Sequence, residues 1–69
     1  MSESVYKVIE LIGSSPESWE KAAQVAVSKA AEHLHELRIA EVIQRDMQIR
    51  YGKIHAYRVK VKVSFKYER

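Results

Sequence analysis

Arg58, Lys60, Lys62 and Lys66 fall on alternate positions of one run, with Ser64 completing the series. In an extended chain that spacing puts all five on one face, where guanidinium and ammonium groups can meet phosphates. The plainer reading is a polar strand face whose cations meet acids of neighbouring strands or subunits. No aromatic residue is interleaved on this face and the net charge is only +3, so a nucleic-acid binder is disfavoured.

The other reactive residue types offer less. Glu32 and Glu36 stand one helical turn apart, a mildly repulsive pair unless a cation or a basic neighbour sits near. Calcium wants six to eight oxygen ligands, so a site using them would lie across an interface. His33 and His35 are two apart and His55 is remote, and no pair has zinc-ligand spacing. Gly13-Ser14-Ser15 can offer backbone N–H groups to an anion at a helix start, but ordinary capping explains it equally well. There is no cysteine, no longer Gly-rich phosphate loop and no serine in a nucleophile context, so catalysis is not expected.

Three strands and one helix must carry these groups. Val5–Ile12 is β-branched and reads as a strand that Gly13-Ser14-Ser15 ends. Ser15 followed by Pro16 reads as a helix start, with Glu17 and Glu20 near the positive end of the dipole. Trp19, Ala23, Ala26, Ala30, Leu34 and Leu37 then recur at steps of four and three, one apolar stripe of a helix reaching Leu37. At about 22 residues it would be roughly 33 Å long. Trp19 sits on that stripe, which points to core or interface packing. A second strand runs from Arg38 to about Arg50, weaker beyond Asp46. Tyr51-Gly52-Lys53 supplies a turn, and a third strand follows from Ile54 to Tyr67. In that strand Tyr57, Val59, Val61, Val63, Phe65 and Tyr67 alternate with the polar series, period two without exception.

The order is βαββ in one domain spanning residues 1–69, an α+β arrangement. A strand of about 14 residues would run roughly 45 Å, whereas a compact chain of this length has a radius of gyration near 11 Å. The strands must therefore curve around the helix or project onto other subunits. With 46% hydrophobic residues and no cysteine, a core this small is expected to be stapled by oligomerisation. Charge divides along the chain as well: residues 1–37 carry 3 Lys and 6 Glu, residues 38–69 carry 9 Lys or Arg and 3 acids, which suits neighbouring copies. No membrane span or signal peptide is read, and a cytoplasmic location is expected.

Val5 to Pro16 (VYKVIELIGSSP), the alanine-rich helix, Glu41-Val42 and Tyr57 to Phe65 (YRVKVKVSF) resemble the dodecins, end to end and in order. The resemblance implies a three-stranded antiparallel sheet wrapped around the helix, and a hollow homododecamer that binds and stores small ligands without catalysis. Dodecins typically bind riboflavin or FMN, with a tryptophan stacking on the flavin just before a segment ending in Glu-Val. Here that position is Ile39. A glutamine after an aromatic residue of the last strand typically meets the flavin's polar edge, and here it is Arg58. Bacterial members often carry Arg-Gly where this chain has Asp46-Met47, and Gln44 lies near the same implied pocket.

Loss of a stacking ring and of the amide together implies flavin affinity weaker by about 100-fold or more. Arg58 could instead hold a phosphate or carboxylate in its fork. The family also implies coenzyme A as a ligand class, and a branch without the tryptophan is associated with calcium. The alternatives to a weakened flavin binder are therefore a cation- or anion-binding shell and a ligand-free structural assembly.

Overall fold

The computed structural model describes residues 3–67. Strand β1 (Tyr6–Ser15), helix α1 (Trp19–His33), strand β2 (Leu37–Arg50) and strand β3 (Lys53–Lys66) follow in the expected βαββ order. They form one antiparallel sheet in which β3 is central, ordered β1-β3-β2. The cleanest alternating strand thus holds the position with neighbours on both edges. Its odd-numbered valines, Val59, Val61 and Val63, are the largest fully buried side chains among the described residues.

Helix α1 covers this valine row with Ala22, Ala26 and Ala30, all buried. Ile9, Leu11, Trp19, Ala23 and Leu37 pack around them half-buried. Alanine lets the helix approach closely, and Gly13 lets it approach further. A Cβ built on Gly13 would lie 2.0 Å from the Ala22 carbonyl oxygen and 3.0 Å from the Ala26 Cβ.

The helix differs from the sequence expectation at both ends. Gly13, Ser14 and Ser15 do not end β1; they stay in the ladder opposite Val59, Arg58 and Tyr57. Ser15 accepts the Glu17 N–H on its Oγ at 3.0 Å, but the helix cap is Ser18. Its backbone is extended and its Oγ accepts from the Lys21 N–H at 3.0 Å. At the far end Leu34 is already extended and Glu36 has φ 61°. The chain needs that reversal to bring Leu37 into β2 opposite Phe65, so the apolar period through Leu34 and Leu37 spans a helix and the strand after it. The helix has 15 residues, about 22 Å.

Strand β2 continues past Asp46 to Arg50. Tyr51 and Gly52 alone make the turn, with φ 54° and 74°, and Lys53 already pairs with Arg50. Two positive φ angles in a two-residue loop match the right-handed twist of the flanking strands. The β2–β3 ribbon projects beyond the helix: the principal extents are 54 × 20 × 16 Å and the radius of gyration is 14.3 Å. Among the described residues no helix is long and apolar enough to cross a membrane.

Candidate functional site

The sheet face turned away from α1 carries the polar series of β3, and pairing decides what each cation meets. Lys62 lies in register between Glu10 and Glu41; Arg58 lies between Ser14 and Asp46. Lys60 has Ile12 on one side and Gln44 on the other, so it alone of these three has no carboxylate directly opposite. Lys66 faces Tyr6 on β1, so acids stand opposite on neighbouring strands for two of the four cations, Arg58 and Lys62.

One of these register pairs closes into a fork. Arg58 Nε donates to Asp46 Oδ1 at 2.8 Å and Nη2 donates to Oδ2 at 2.9 Å. The bidentate geometry is the strong form of such a pair. The guanidinium hydrogen bond holds the Asp46 carboxyl below its ordinary range, with a further pull from the charge of Lys60. Arg58 is raised in turn by the same hydrogen bond. Within the protomer the Arg58 fork is therefore occupied by the chain's own Asp46.

Beside the fork is an open depression of about 170 Å³ lined by Ile12, Gln44, Asp46, Arg58 and Lys60. It unites three of the four candidate pocket residues, Gln44, Asp46 and Arg58. Ile39 is not among them. It pairs with Ser64, six residues along β3 from Arg58, a separation of about 20 Å. A pocket using both Ile39 and Arg58 would have to be shared between protomers.

One contact that the sequence did not signal reaches Asp46, and two more hold the ring that makes it. Trp19 Nε1 donates to the Asp46 backbone oxygen at 3.1 Å, which ties the start of α1 to the strand bearing the fork. The Arg45 guanidinium lies 5.3 Å from the centre of the Trp19 ring. Tyr57 meets the same ring edge-on, with centroids 5.0 Å apart. Trp19 thus takes the packing role that its place on the stripe suggested.

The metal candidates stand apart. Glu36 is not on the helix, so it is not one turn from Glu32 on a common face. Glu32 pairs with Lys29 at 3.5 Å and Glu36 with Arg38. His33 closes the helix, His35 follows it and His55 is on β3, all exposed. Among the described residues of one protomer, no three His, Cys, Asp or Glu side chains come together to hold a metal ion.

The described residues thus form a βαββ protomer with an alanine helix on one sheet face and a polar depression on the other, the architecture of a dodecin fold. The dodecin family model matches residues 5–68, and the chain belongs to the dodecin family of non-enzymatic small-ligand-binding proteins. The structure is similar to the dodecin from Streptomyces davaonensis, with a TM-score of 0.92 and 31% identity, covering 99% of this chain and 100% of that one. The sequence is 53% identical to calcium dodecin of Mycobacterium tuberculosis over 64 residues, 91% of this chain and 89% of the relative. The crystal structure of that calcium-chelating protein, described as having a novel calcium-binding site, superposes with a TM-score of 0.85 at 52% identity, covering 94% and 93% of the two chains.

Proposed function

We propose that this chain forms a homododecameric dodecin shell that binds calcium rather than flavin. The observation that carries the reading is the 53% identity to calcium dodecin over 64 residues, against 31% for the Streptomyces davaonensis dodecin. The local chemistry supports the same choice. Ile39 offers no aromatic ring for stacking, and Arg58 is engaged by Asp46 where the family pattern has a glutamine. Riboflavin and FMN would meet neither partner.

Calcium needs more oxygen ligands than the described residues of one protomer bring together, so this reading has the site shared between subunits. Glu32 and Glu36 are its candidate ligands, since their exposed pairs with Lys29 and Arg38 are cheap to open. The deciding experiment is native mass spectrometry of the assembled protein after chelator treatment, followed by calcium and, separately, FMN. The expected result is a mass near twelve 8.0 kDa chains that takes up calcium and no flavin. Strong quenching of FMN fluorescence, or no change in mass or melting temperature with calcium, would overturn the reading.

A further inference from the structure

The sheet face turned away from α1 is banded by charge, because residues opposite one another in the ladder point to the same side. Glu10, Lys62 and Glu41 stand in one row, two carboxylates about one ammonium, for a net charge of −1. The next row, Ile12, Lys60 and Gln44, carries +1. The rows flanking these two carry no net charge: Val8, Ser64 and Ile39 are uncharged, and beyond Lys60 the fork of Arg58 and Asp46 cancels itself beside Ser14. Among the described residues none of Glu10, Glu41, Lys60 and Lys62 is in an ion pair. Val8, Ile12 and Ile39 leave apolar surface open on the same face. The charged band is therefore unsatisfied within the protomer, and its order, read from the other end, is its own opposite.

We propose that this face packs on the same face of a second copy, about a two-fold axis that crosses β3 between Lys60 and Lys62. In a two-fold contact each surface must complement itself. An axis through Lys60 or through Lys62 would set like charge on like. The axis between them sets the Lys60 of each copy on the other copy's row of Glu10, Lys62 and Glu41, twice per contact, and lays the uncharged rows on one another. Packed sheets lie about 10 Å apart, a gap that a lysine and a glutamate close by reaching from opposite sides. Sheets that cross at an angle diverge away from the axis, and the charged rows are the two beside it, where contact is kept. The same apposition covers Val8, Ile12 and Ile39. It rests on the reading of this chain as a self-assembling dodecin but not on calcium, because it involves neither Glu32 nor Glu36.

The test uses two variants that each fail alone and repair one another. Lys60→Glu makes both charged rows negative, and Glu41→Lys makes both positive. Contacts between like chains are then repulsive, whereas every contact between unlike chains regains opposite charge on both sides of the axis. Native mass spectrometry is run on wild type, on each variant and on their equimolar mixture, with one variant isotope-labelled so that the mass gives the composition. The expected result is a dodecamer population lower by roughly tenfold or more in each variant alone, since like charges set opposite one another across an interface are costly. The mixture regains the dodecamer with equal numbers of the two chains. Damage confined to the protomer is not repaired by mixing. A dodecamer retained by either variant, a mixture no better than its components, or a mixed dodecamer of random composition would overturn the proposal. A wild type that is not dodecameric would overturn the assembly reading with it. Should either variant aggregate alone, the two are refolded together from denaturant and the same masses are read.

Discussion

Asp46 and Arg58, twelve positions apart in the chain, form one contact. A guanidinium without Asp46 would leave an uncompensated cation on the sheet, and a carboxylate without Arg58 would leave an anion. Because Arg58 lowers the folded-state pKa of Asp46, the stability it contributes is present above the unfolded carboxylate value. It is lost as pH falls through the lower folded value. Arg58→Gln is therefore expected to lower the urea midpoint near neutral pH, and to leave it equal to wild type once Asp46 is protonated in both proteins. A gap that persists unchanged in strong acid would contradict this account. The residue types of the fork were legible in the sequence, but their meeting was not. Strict register counted back from the Tyr51-Gly52 turn places Asp46 opposite Tyr57; the register shift between Gln48 and Ile49 moves it opposite Arg58. A one-residue slip exchanges the faces of a strand, and no local residue pattern announced this one.

Between elements, the closest constraint is the approach of α1 to β1 at Gly13. A methyl group there would overlap the Ala22 carbonyl, and backbone cannot rotate away as a flexible side chain can. Gly13→Ala is expected to destabilise by at least the upper part of about 1–3 kcal/mol, the usual cost of overpacking, and to impair assembly. Denaturant midpoints within error of wild type would show that the helix can lift at no cost. The hairpin offers the opposite case. Tyr51 holds φ 54° and is 94% exposed, so its side chain gains no packing within the protomer for a strained backbone. Tyr51→Asn is expected to stabilise by about 0.5–1 kcal/mol, because asparagine tolerates the left-handed region that this turn requires. A lowered midpoint would mean that the tyrosine ring packs on another subunit. Strand β3 and the hairpin were readable because alternation and a turn glycine are local signals. The helix ends were not: Ser15-Pro16 and Leu34–Leu37 carry valid local signals, but the ladder with Tyr57 and Phe65 competes with them and prevails.

At the scale of the whole molecule, the protomer is long and thinly packed for a folding unit. Its radius of gyration is 14.3 Å, against about 11 Å for a compact chain of this length, in keeping with strands that outrun a sphere. Among the described residues the buried apolar side chains are only alanines and valines. No residue of β2 is buried, while Ile39, Val42, Ile43, Met47 and Ile49 along it are all exposed. A groove of about 530 Å³ between α1 and β2, lined by Trp19, Ala23, Val42, Ile43, Arg45 and Val59 among others, leaves further apolar surface open. Exposed apolar surface on this scale needs a cover, and the family supplies one in further copies of the same chain. If the core is completed only on assembly, folding and association are one equilibrium, and the midpoint of unfolding must rise with protein concentration. Denaturant curves across a hundredfold range of concentration are expected to shift in that direction, with no folded species at 8.0 kDa at any dilution. A folded monomer with a concentration-independent midpoint would mean that the alanine and valine core suffices alone, and that assembly serves ligand binding rather than the fold.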